Sequence, residues 1–156
     1  MKLKKSMIIG GLLLVIGATA ALAAGKIDVT LEQKKIIMVD GKEKAIESAD
    51  VTPGDLIEYI ATYRNSGDQI VTRAEGEVPI PAGMIYIEKS ASPANVMATT
   101  DGQTYAAVPL KRKVFSNGKE ETGDVPLKEY RSLRWPLGDI PVGQQIVVKA
   151  RMQFAP

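Results

Sequence analysis

The sequence contains no cysteine and no histidine among its 156 residues. Their absence excludes disulfide bonds, Ser-His-Asp and Cys-His catalytic machinery, and zinc sites built on these ligands. Aromatic residues make up only 5% of the chain, so few rings remain for a carbohydrate-binding surface once a core has been filled. The folded part of the chain must therefore be held together by its apolar core alone.

One long uncharged run stands out, and it lies at the start of the chain. Three lysines within the first five residues precede an uncharged stretch over residues 7–24, which is typical of a secretory signal. Ala21-Leu22-Ala23 supplies small residues for signal peptidase, so we predict a signal helix over residues 1–23, cleaved after Ala23. An uncleaved membrane anchor is the alternative, because the run has about the minimum length for spanning a bilayer.

This segment predicts an exported protein that is periplasmic, cell-surface or extracellular. Contact with a membrane is expected only through the signal, if that segment is retained. The complete chain has 20 basic and 18 acidic residues and a net charge of +2; without the three lysines of the signal, 17 basic residues remain and the net charge is −1. Residues 24–156 therefore lack the basic balance of a nucleic-acid-binding domain, and no nucleic acid partner is expected.

Residues 24–156 repeatedly alternate apolar and polar side chains with a period of two, which is typical of half-buried β-strands. The alternation is clearest in Ile57, Tyr59, Ala61 and Tyr63. About eight to nine short strands are predicted, with turn signals roughly every ten residues, and this spacing favours a β-sandwich or barrel. No linker-like stretch interrupts the pattern, so residues 24–156 are predicted to form a single all-β domain.

Turn residues punctuate the predicted strands. Asp40-Gly41 predicts a hairpin after a strand at 36–39, because both residues tolerate positive φ angles. Asn117-Gly118 lies in a charged stretch at 111–121 and predicts a long hairpin tip or loop. A strand over 130–135 is expected to end in a turn at Pro136-Leu137-Gly138-Asp139.

A core can be assigned from the strand faces. Trp135 is the only tryptophan and shares a strand face with Leu133, so we interpret it as the anchor between two sheets. Ile57, Tyr59 and Tyr63 share one face of the strongest strand and are also predicted to belong to the core.

The order of these turn and strand signals resembles the "conserved repeat" immunoglobulin-like domain of unknown function in prokaryotic surface and secreted proteins. The resemblance covers about residues 26–154. It rests on an ordered set of short segments: Pro53-Gly54-Asp55, Ile57-Tyr59-Ala61-Tyr63, Asn65-Ser66-Gly67, Pro81-Ala82-Gly83-Met84, Asp101-Gly102-Gln103-Thr104-Tyr105, Arg134-Trp135 and Leu137-Gly138-Asp139-Ile140-Pro141-Val142-Gly143.

The resemblance implies a Greek-key β-sandwich used outside the cytoplasm as a stalk, spacer or adhesive module. It implies no catalytic residues. Members of that family are commonly arranged in tandem, whereas here a single copy follows a signal. A single copy favours adhesion, assembly or scaffolding over a stalk.

The remaining chemistry favours binding over catalysis. Paired carboxylates could hydrolyse glycosides, but Glu75 with Glu77 and Glu120 with Glu121 are interpreted as solvated strand or loop positions. We therefore predict that the protein is not an enzyme.

Three aspartates in predicted turns could converge on a calcium ion. Asp101, Asp124 and Asp139 are nevertheless interpreted as ordinary turn residues, so no metal and no cofactor is predicted.

Two segments are candidates for contacts with a partner. Lys111, Arg112, Lys113 and Phe115 combine positive charge with apolar surface and could bind an acidic polymer, although a solvated hairpin balanced by Glu120 and Glu121 is favoured. The second candidate follows the signal directly.

This second segment, the arm at residues 26–39, carries Ile27, Val29 and Leu31 on one face. It could complete its own sheet, which is the default, or pair with a neighbour and build a filament by strand addition. The sequence thus predicts a structural, adhesive or scaffolding role through a protein partner or self-association. A filament subunit and a polymer- or ligand-binding module are the alternatives.

Overall fold

The structure is a computed structural model that describes residues 25–48 and 50–155. The predicted signal helix and its cleavage after Ala23 lie outside these residues. The described part contains eleven β-strands and one short 3-10 helix. No helix within it is long and apolar enough to cross a membrane.

The strands range from two to thirteen residues in length. In order they are β1 (Ile27–Val39), β2 (Lys42–Ile46), β3 (Leu56–Asn65), β4 (Val71–Pro79), β5 (Met84–Tyr86), β6 (Met97–Thr99), β7 (Ala106–Ala107), β8 (Lys111–Ser116), β9 (Lys119–Asp124), β10 (Ser132–Ile140) and β11 (Gln145–Phe154); the 3-10 helix spans Leu127–Glu129.

The strands form three antiparallel sheets. A five-stranded sheet has the order β2-β1-β3-β11-β5, a four-stranded sheet has the order β4-β10-β6-β7, and β8 pairs with β9 alone. The two larger sheets enclose the apolar core between them. The prediction of an all-β protein is therefore confirmed, and the arrangement is that of a β-sandwich.

The core follows directly from the alternation of side chains along the strands. The side chains of β3 that face the second sheet are at most 8% exposed, because successive residues of a strand point to opposite faces. The largest contributions to the core come from both sheets: Ile57, Tyr59, Tyr63, Val78, Tyr86, Leu133, Trp135, Ile140, Val148 and Met152.

Close contact between the layers depends on one glycine. A Cβ atom at Gly76 would lie 2.7 Å from the ring of Tyr63, so no larger residue fits opposite that ring. The hydroxyl of Tyr63 donates a hydrogen bond of 2.9 Å to the carbonyl of Glu77. Burial raises the pKa of Tyr63 to about 12, so this hydroxyl keeps its proton across the physiological range.

Three details of the sequence prediction are wrong. The described residues form eleven strands instead of eight or nine, because residues 42–46 and both sides of the charged hairpin at 111–124 are also strands. The strands expected at 27–31 and 36–39 are one continuous strand, β1. Residues 136–139 do not reverse the chain: β10 continues to Ile140, and Gly138, at φ +73°, lies where its register with β4 shifts.

The hairpins marked by Asp40-Gly41 and Asn117-Gly118 are confirmed. Both residues of each pair have positive φ angles between +51° and +75°, as a type I′ hairpin turn requires. β1 therefore folds back on β2, and β8 on β9.

Candidate interaction surface

The most prominent candidate site is an open stretch of the edge of β1. β3 pairs with β1 over Ile27–Ile36, whereas β2 pairs with it only over Lys35–Val39. Residues 27–34 therefore have a strand on one side only, within the part of the chain that the structure describes. We call residues 27–34 the open edge.

The backbone of the open edge presents unused hydrogen-bonding groups. Ser66 N–H donates to the carbonyl of Lys26 at 2.9 Å, and Lys26 lies opposite Ser66 in the register of β1 with β3. Hydrogen-bonded pairs alternate along an antiparallel ladder, so even-numbered residues of β1 bond to β3. The N–H and C=O groups of Ile27, Val29, Leu31 and Gln33 consequently point away from β3.

The side chains of the same odd-numbered residues point toward the second sheet. Val29 and Leu31 lie opposite Tyr63 and Ala61, both of which are core residues. Yet Val29 is 51% exposed and Leu31 is 50% exposed, because β4 packs over β3 and leaves most of β1 uncovered. The open edge thus combines unused backbone groups with an uncovered apolar row.

Two other edge strands of the larger sheets, β2 and β4, carry features that discourage pairing. β2 exposes Lys42, Glu43 and Lys44, and β4 contains Arg73 at φ +51° and ends in Pro79. Charges, irregular backbone and proline are known protections of sheet edges. The open edge has no proline, no glycine and no register shift, so it remains a regular template for another strand.

Charged side chains line the solvent face of the open edge. Lys26 Nζ lies 3.8 Å from a carboxylate oxygen of Asp28, and Lys34 Nζ lies 3.8 Å from Glu32 and 3.9 Å from Glu47. All are ion pairs between exposed or half-exposed groups, whose contribution to stability is small. Their side chains are therefore free to exchange partners when another surface approaches.

A shallow concavity adjoins the open edge where the chain leaves β2. Its lining residues are Leu31, Glu32, Gln33, Glu47 and Ser48. It therefore provides an acidic and partly apolar hollow in line with β2.

The hairpin of β8 and β9 carries the second predicted surface. Lys111, Lys113 and Phe115 share one face of this ribbon, and Arg112 lies on the other. Each cation has a carboxylate partner: Lys111 pairs with Asp124, Lys113 Nζ lies 2.6 Å from Glu120, and Arg112 lies 2.7 Å from Glu129. The basic cluster is thus neutralised locally.

Phe115 is a large apolar side chain exposed near the tip of this hairpin. It is 78% exposed, and the ribbon forms a sheet separate from the two larger ones. A single exposed ring beside neutralised charges offers little to an acidic polymer.

A polar cluster that sequence reasoning missed surrounds Glu77 on the outer face of the second sheet. Glu77 accepts hydrogen bonds from Tyr105 (2.6 Å), Ser132 (2.7 Å) and Arg134 (3.2 Å). Partial burial opposes its ionisation, but these hydrogen bonds outweigh burial and lower the pKa of Glu77.

Arg134 also stacks on the ring of Tyr105, with its guanidinium carbon 3.5 Å from the ring centre. The interpretation of Glu77 as a simple solvated position was therefore wrong. The ionised carboxylate has all its strong contacts inside the cluster, which attaches the segment containing Tyr105 to the sheet.

The three turn aspartates do not come together. Asp101 accepts hydrogen bonds from Gln103 and Thr104 within its own turn, Asp124 pairs with Lys111, and Asp139 accepts a hydrogen bond of 2.9 Å from the N–H of Arg73. Across the described residues, no three acidic side chains are grouped in a way that could hold a metal ion.

The predicted core residues and the predicted arm differ in how far they are buried. Trp135 is fully buried, and its Nε1 donates a hydrogen bond of 2.8 Å to the carbonyl of Pro93. Ile57, Tyr59 and Tyr63 belong to the same core. Of the arm residues, Ile27 packs against this core, whereas Val29 and Leu31 do not.

Comparison with known proteins found no match to any family model, curated protein or solved structure. Three surfaces of the described residues remain as candidates for function: the open edge, the β8–β9 hairpin and the Glu77 cluster. Of these three, only the open edge combines unused backbone groups with an uncovered apolar row.

Proposed function

We propose that this chain is an exported, non-enzymatic protein that acts through protein contacts at the cell envelope or surface. Its role would be structural, adhesive or scaffolding. The open edge is the observation that carries the proposal, since an exposed strand edge can add a strand from another protein by main-chain hydrogen bonds. Val29 and Leu31 would supply the apolar contacts that give such pairing selectivity.

We also propose that the domain is an immunoglobulin-like Greek-key sandwich of the "conserved repeat" kind. Two observations support this view. The chain crosses between the two larger sheets from β3 to β4 and from β10 to β11, so that β3 neighbours β11 and β4 neighbours β10, and Trp135 fills the space between the sheets. Both are features of immunoglobulin-like sandwiches.

A non-enzymatic role is supported by the state of the carboxylates. Glu77 and Asp101 are committed to internal hydrogen bonds, and Glu120 is paired with Lys113. A general acid needs a raised pKa, whereas the pKa values of Glu77 and Asp101 are lowered.

A filament built by exchange of the arm is the second candidate. β1 pairs with β3 of its own chain over ten positions, so an exchanged arm would first have to break that ladder. Filament growth would also need a second edge complementary to the first, because only head-to-tail contacts propagate. The polymer-binding alternative is weakened further by the paired cations of the β8–β9 hairpin.

Site-specific photo-crosslinking in the native envelope tests the proposal. A photoreactive amino acid at Val29 is expected to give discrete crosslinked protein bands. The matched control is Val147, which is 45% exposed on the other face of the same sheet and is expected to give none. Equal labelling from both positions, or none from either, would contradict a specific contact at the open edge.

Export is tested in the same preparation. Mass spectrometry of the purified protein is expected to give the mass of residues 24–156. An intact signal in a cytoplasmic fraction would overturn the proposed location.

A further inference from the structure

We infer that the partner of the open edge is a second copy of this chain, paired antiparallel about a two-fold axis midway between the two copies of Val29. The inference rests on the proposed function, because it names the partner of the surface proposed there. It follows from the side chains and charges along β1.

Symmetry restricts how two open edges can pair. Residues directly opposite each other in an antiparallel ladder lie on the same face of the sheet, so an odd-numbered residue must face an odd-numbered one. The two-fold axis then lies between the two strands, perpendicular to the sheet, and one residue of each strand faces its own copy across it. Within the open edge, the central positions are Val29, Thr30 and Leu31.

The register centred on Val29 places complementary groups opposite each other on both faces. On the inward face, Val29 meets its own copy, and Ile27 meets Leu31 of the second copy. On the solvent face, Lys26 meets Glu32 of the second copy, which joins opposite charges. The backbone groups of Ile27, Val29 and Leu31 that point away from β3 would pair with those of the second copy.

The register centred on Thr30 is less favourable. It places Lys26 opposite Lys34 and Asp28 opposite Glu32. Like charges directly opposite each other destabilise a ladder.

Centring on Leu31 places Val29 opposite Gln33 and therefore breaks the apolar row. It also places Ile27 opposite Lys35, but the edge of β1 at Lys35 is already paired with Ile46 of β2. The register centred on Val29 alone is both apolar on the inward face and charge-matched on the solvent face.

The concavity beside β2 fits this register. Its lining residues Leu31 and Glu32 are the ones that Ile27 and Lys26 of the second copy would contact. Glu47 also lines it and is 86% exposed at its side chain. The incoming lysine would therefore meet two carboxylates.

A contact of this kind closes on itself. The same surface of both copies is used, so the assembly stops at two copies and does not propagate. The exposed halves of Val29 and Leu31 would be covered by the apolar row of the second copy. The two five-stranded sheets would become one continuous sheet.

A cysteine scan tests the register, because the natural chain has no cysteine and each variant therefore carries a single thiol. Val29→Cys in the processed protein is expected to form a disulfide-linked dimer under mild oxidation, since paired Cα atoms in this position lie about 5.5 Å apart. Leu31→Cys is the matched control. In the same register its two copies lie more than about 10 Å apart, so it is expected to stay unlinked.

Charge reversal tests the contact without new covalent chemistry. Light scattering after size exclusion is expected to give the mass of two chains for the natural protein. Lys26→Glu and Glu32→Lys should each raise the dimer dissociation constant about tenfold. The double variant should restore dimerisation, because it re-forms the pair with reversed sign.

Each outcome is decisive. Thr30→Cys is the third variant of the scan. A disulfide-linked dimer of Leu31→Cys or Thr30→Cys, in place of one of Val29→Cys, would overturn the register. A purified protein that stays monomeric, with none of the three variants linked, would overturn self-association. If Val29 still crosslinks to another protein in the envelope, the proposed function stands without this inference; if it does not, both fail.

Discussion

Trp135 lies at the centre of the contact between the two larger sheets, with its side chain fully buried. Trp135→Ala is expected to lower the free energy of unfolding by about 3–5 kcal/mol, because it leaves a large cavity and frees the carbonyl of Pro93. Urea denaturation measures the loss. Phe115→Ala, which removes a ring that is 78% exposed, is the control and should cost less than about 0.5 kcal/mol.

A loss below about 1 kcal/mol for Trp135→Ala would contradict burial in the core. It would place Trp135 at the surface instead. The comparison with Phe115 separates loss of packing from loss of aromatic area in general.

Asp101 is the residue whose ionisation is most clearly tied to the fold. Hydrogen bonds from the backbone N–H groups of Thr104 and Gln103, and then from the hydroxyl of Thr99, lower its pKa to about 2. An unfolded aspartate has a pKa of about 3.9. The stability that Asp101 contributes is therefore complete above about pH 4 and is lost as the pH falls toward about 2.

Asp101→Asn keeps the side-chain oxygen that accepts these bonds and removes the charge. Its melting temperature is expected to fall less steeply than that of the natural protein between about pH 4 and pH 2. Thermal unfolding across this range measures the difference. Parallel curves for the two proteins would show that the negative charge of Asp101 does not stabilise the fold.

At the level of elements, the β8–β9 hairpin is set apart from the rest of the fold. Its base is held inside the protein: Leu110 N–H donates to the hydroxyl of Tyr130 at 2.7 Å, and Val125 N–H donates to the carbonyl of Leu110 at 2.9 Å. The ribbon beyond this base pairs only with itself, and a lone two-stranded hairpin is marginally stable in water.

Replacement of residues 111–124 by an Asn-Gly turn, which would close on the hydrogen-bonded pair Leu110–Val125, is expected to change the free energy of unfolding by less than about 1 kcal/mol. This replacement removes the ion pair between Arg112 and Glu129, which joins the ribbon to the 3-10 helix and is exposed to solvent. Urea denaturation of the two proteins measures the difference. A matched deletion that also removes Leu110 and Val125 should be clearly destabilising, since both side chains are buried. Equal losses from both deletions would show that the ribbon supports the sandwich.

The strands were predictable where burial follows a simple alternation. β3 shows this best, because one face is buried along its whole length, and the two-residue hairpins were predictable because their turns demand positive φ angles. Residues 136–139 could not be assigned in this way. Gly138 serves equally well in a turn and in a bulge, and only the pairing of β10 with β4 distinguishes them.

The candidate surfaces were predictable only in part. Ile27, Val29 and Leu31 could be placed on one strand face from their spacing. Their exposure could not, because it depends on how far the second sheet extends over the first. The Glu77 cluster was missed for a related reason: Tyr105 and Arg134 lie 28 and 57 positions away in the chain, and no local pattern links them.

For the whole molecule, stability is expected to be independent of metal ions. Asp101, Asp124 and Asp139 each have a separate protein partner. The melting temperature should therefore be the same with a chelator, without one and with added calcium. A clear decrease with the chelator, reversed by calcium, would contradict a fold that is held by its core alone.

The arrangement of β1, β3 and β11 also determines how the molecule would respond to pulling. β1 and β11 both run antiparallel to β3, and they lie on its two sides. The chain enters β1 beside Asn65 and leaves β11 beside Leu56, at opposite ends of β3. Tension between these two points would act along the strands and load both hydrogen-bond ladders in shear, all bonds together instead of one after another. The same connectivity that places β1 and β11 on either side of β3 would therefore make the domain resistant to tension applied at these two points.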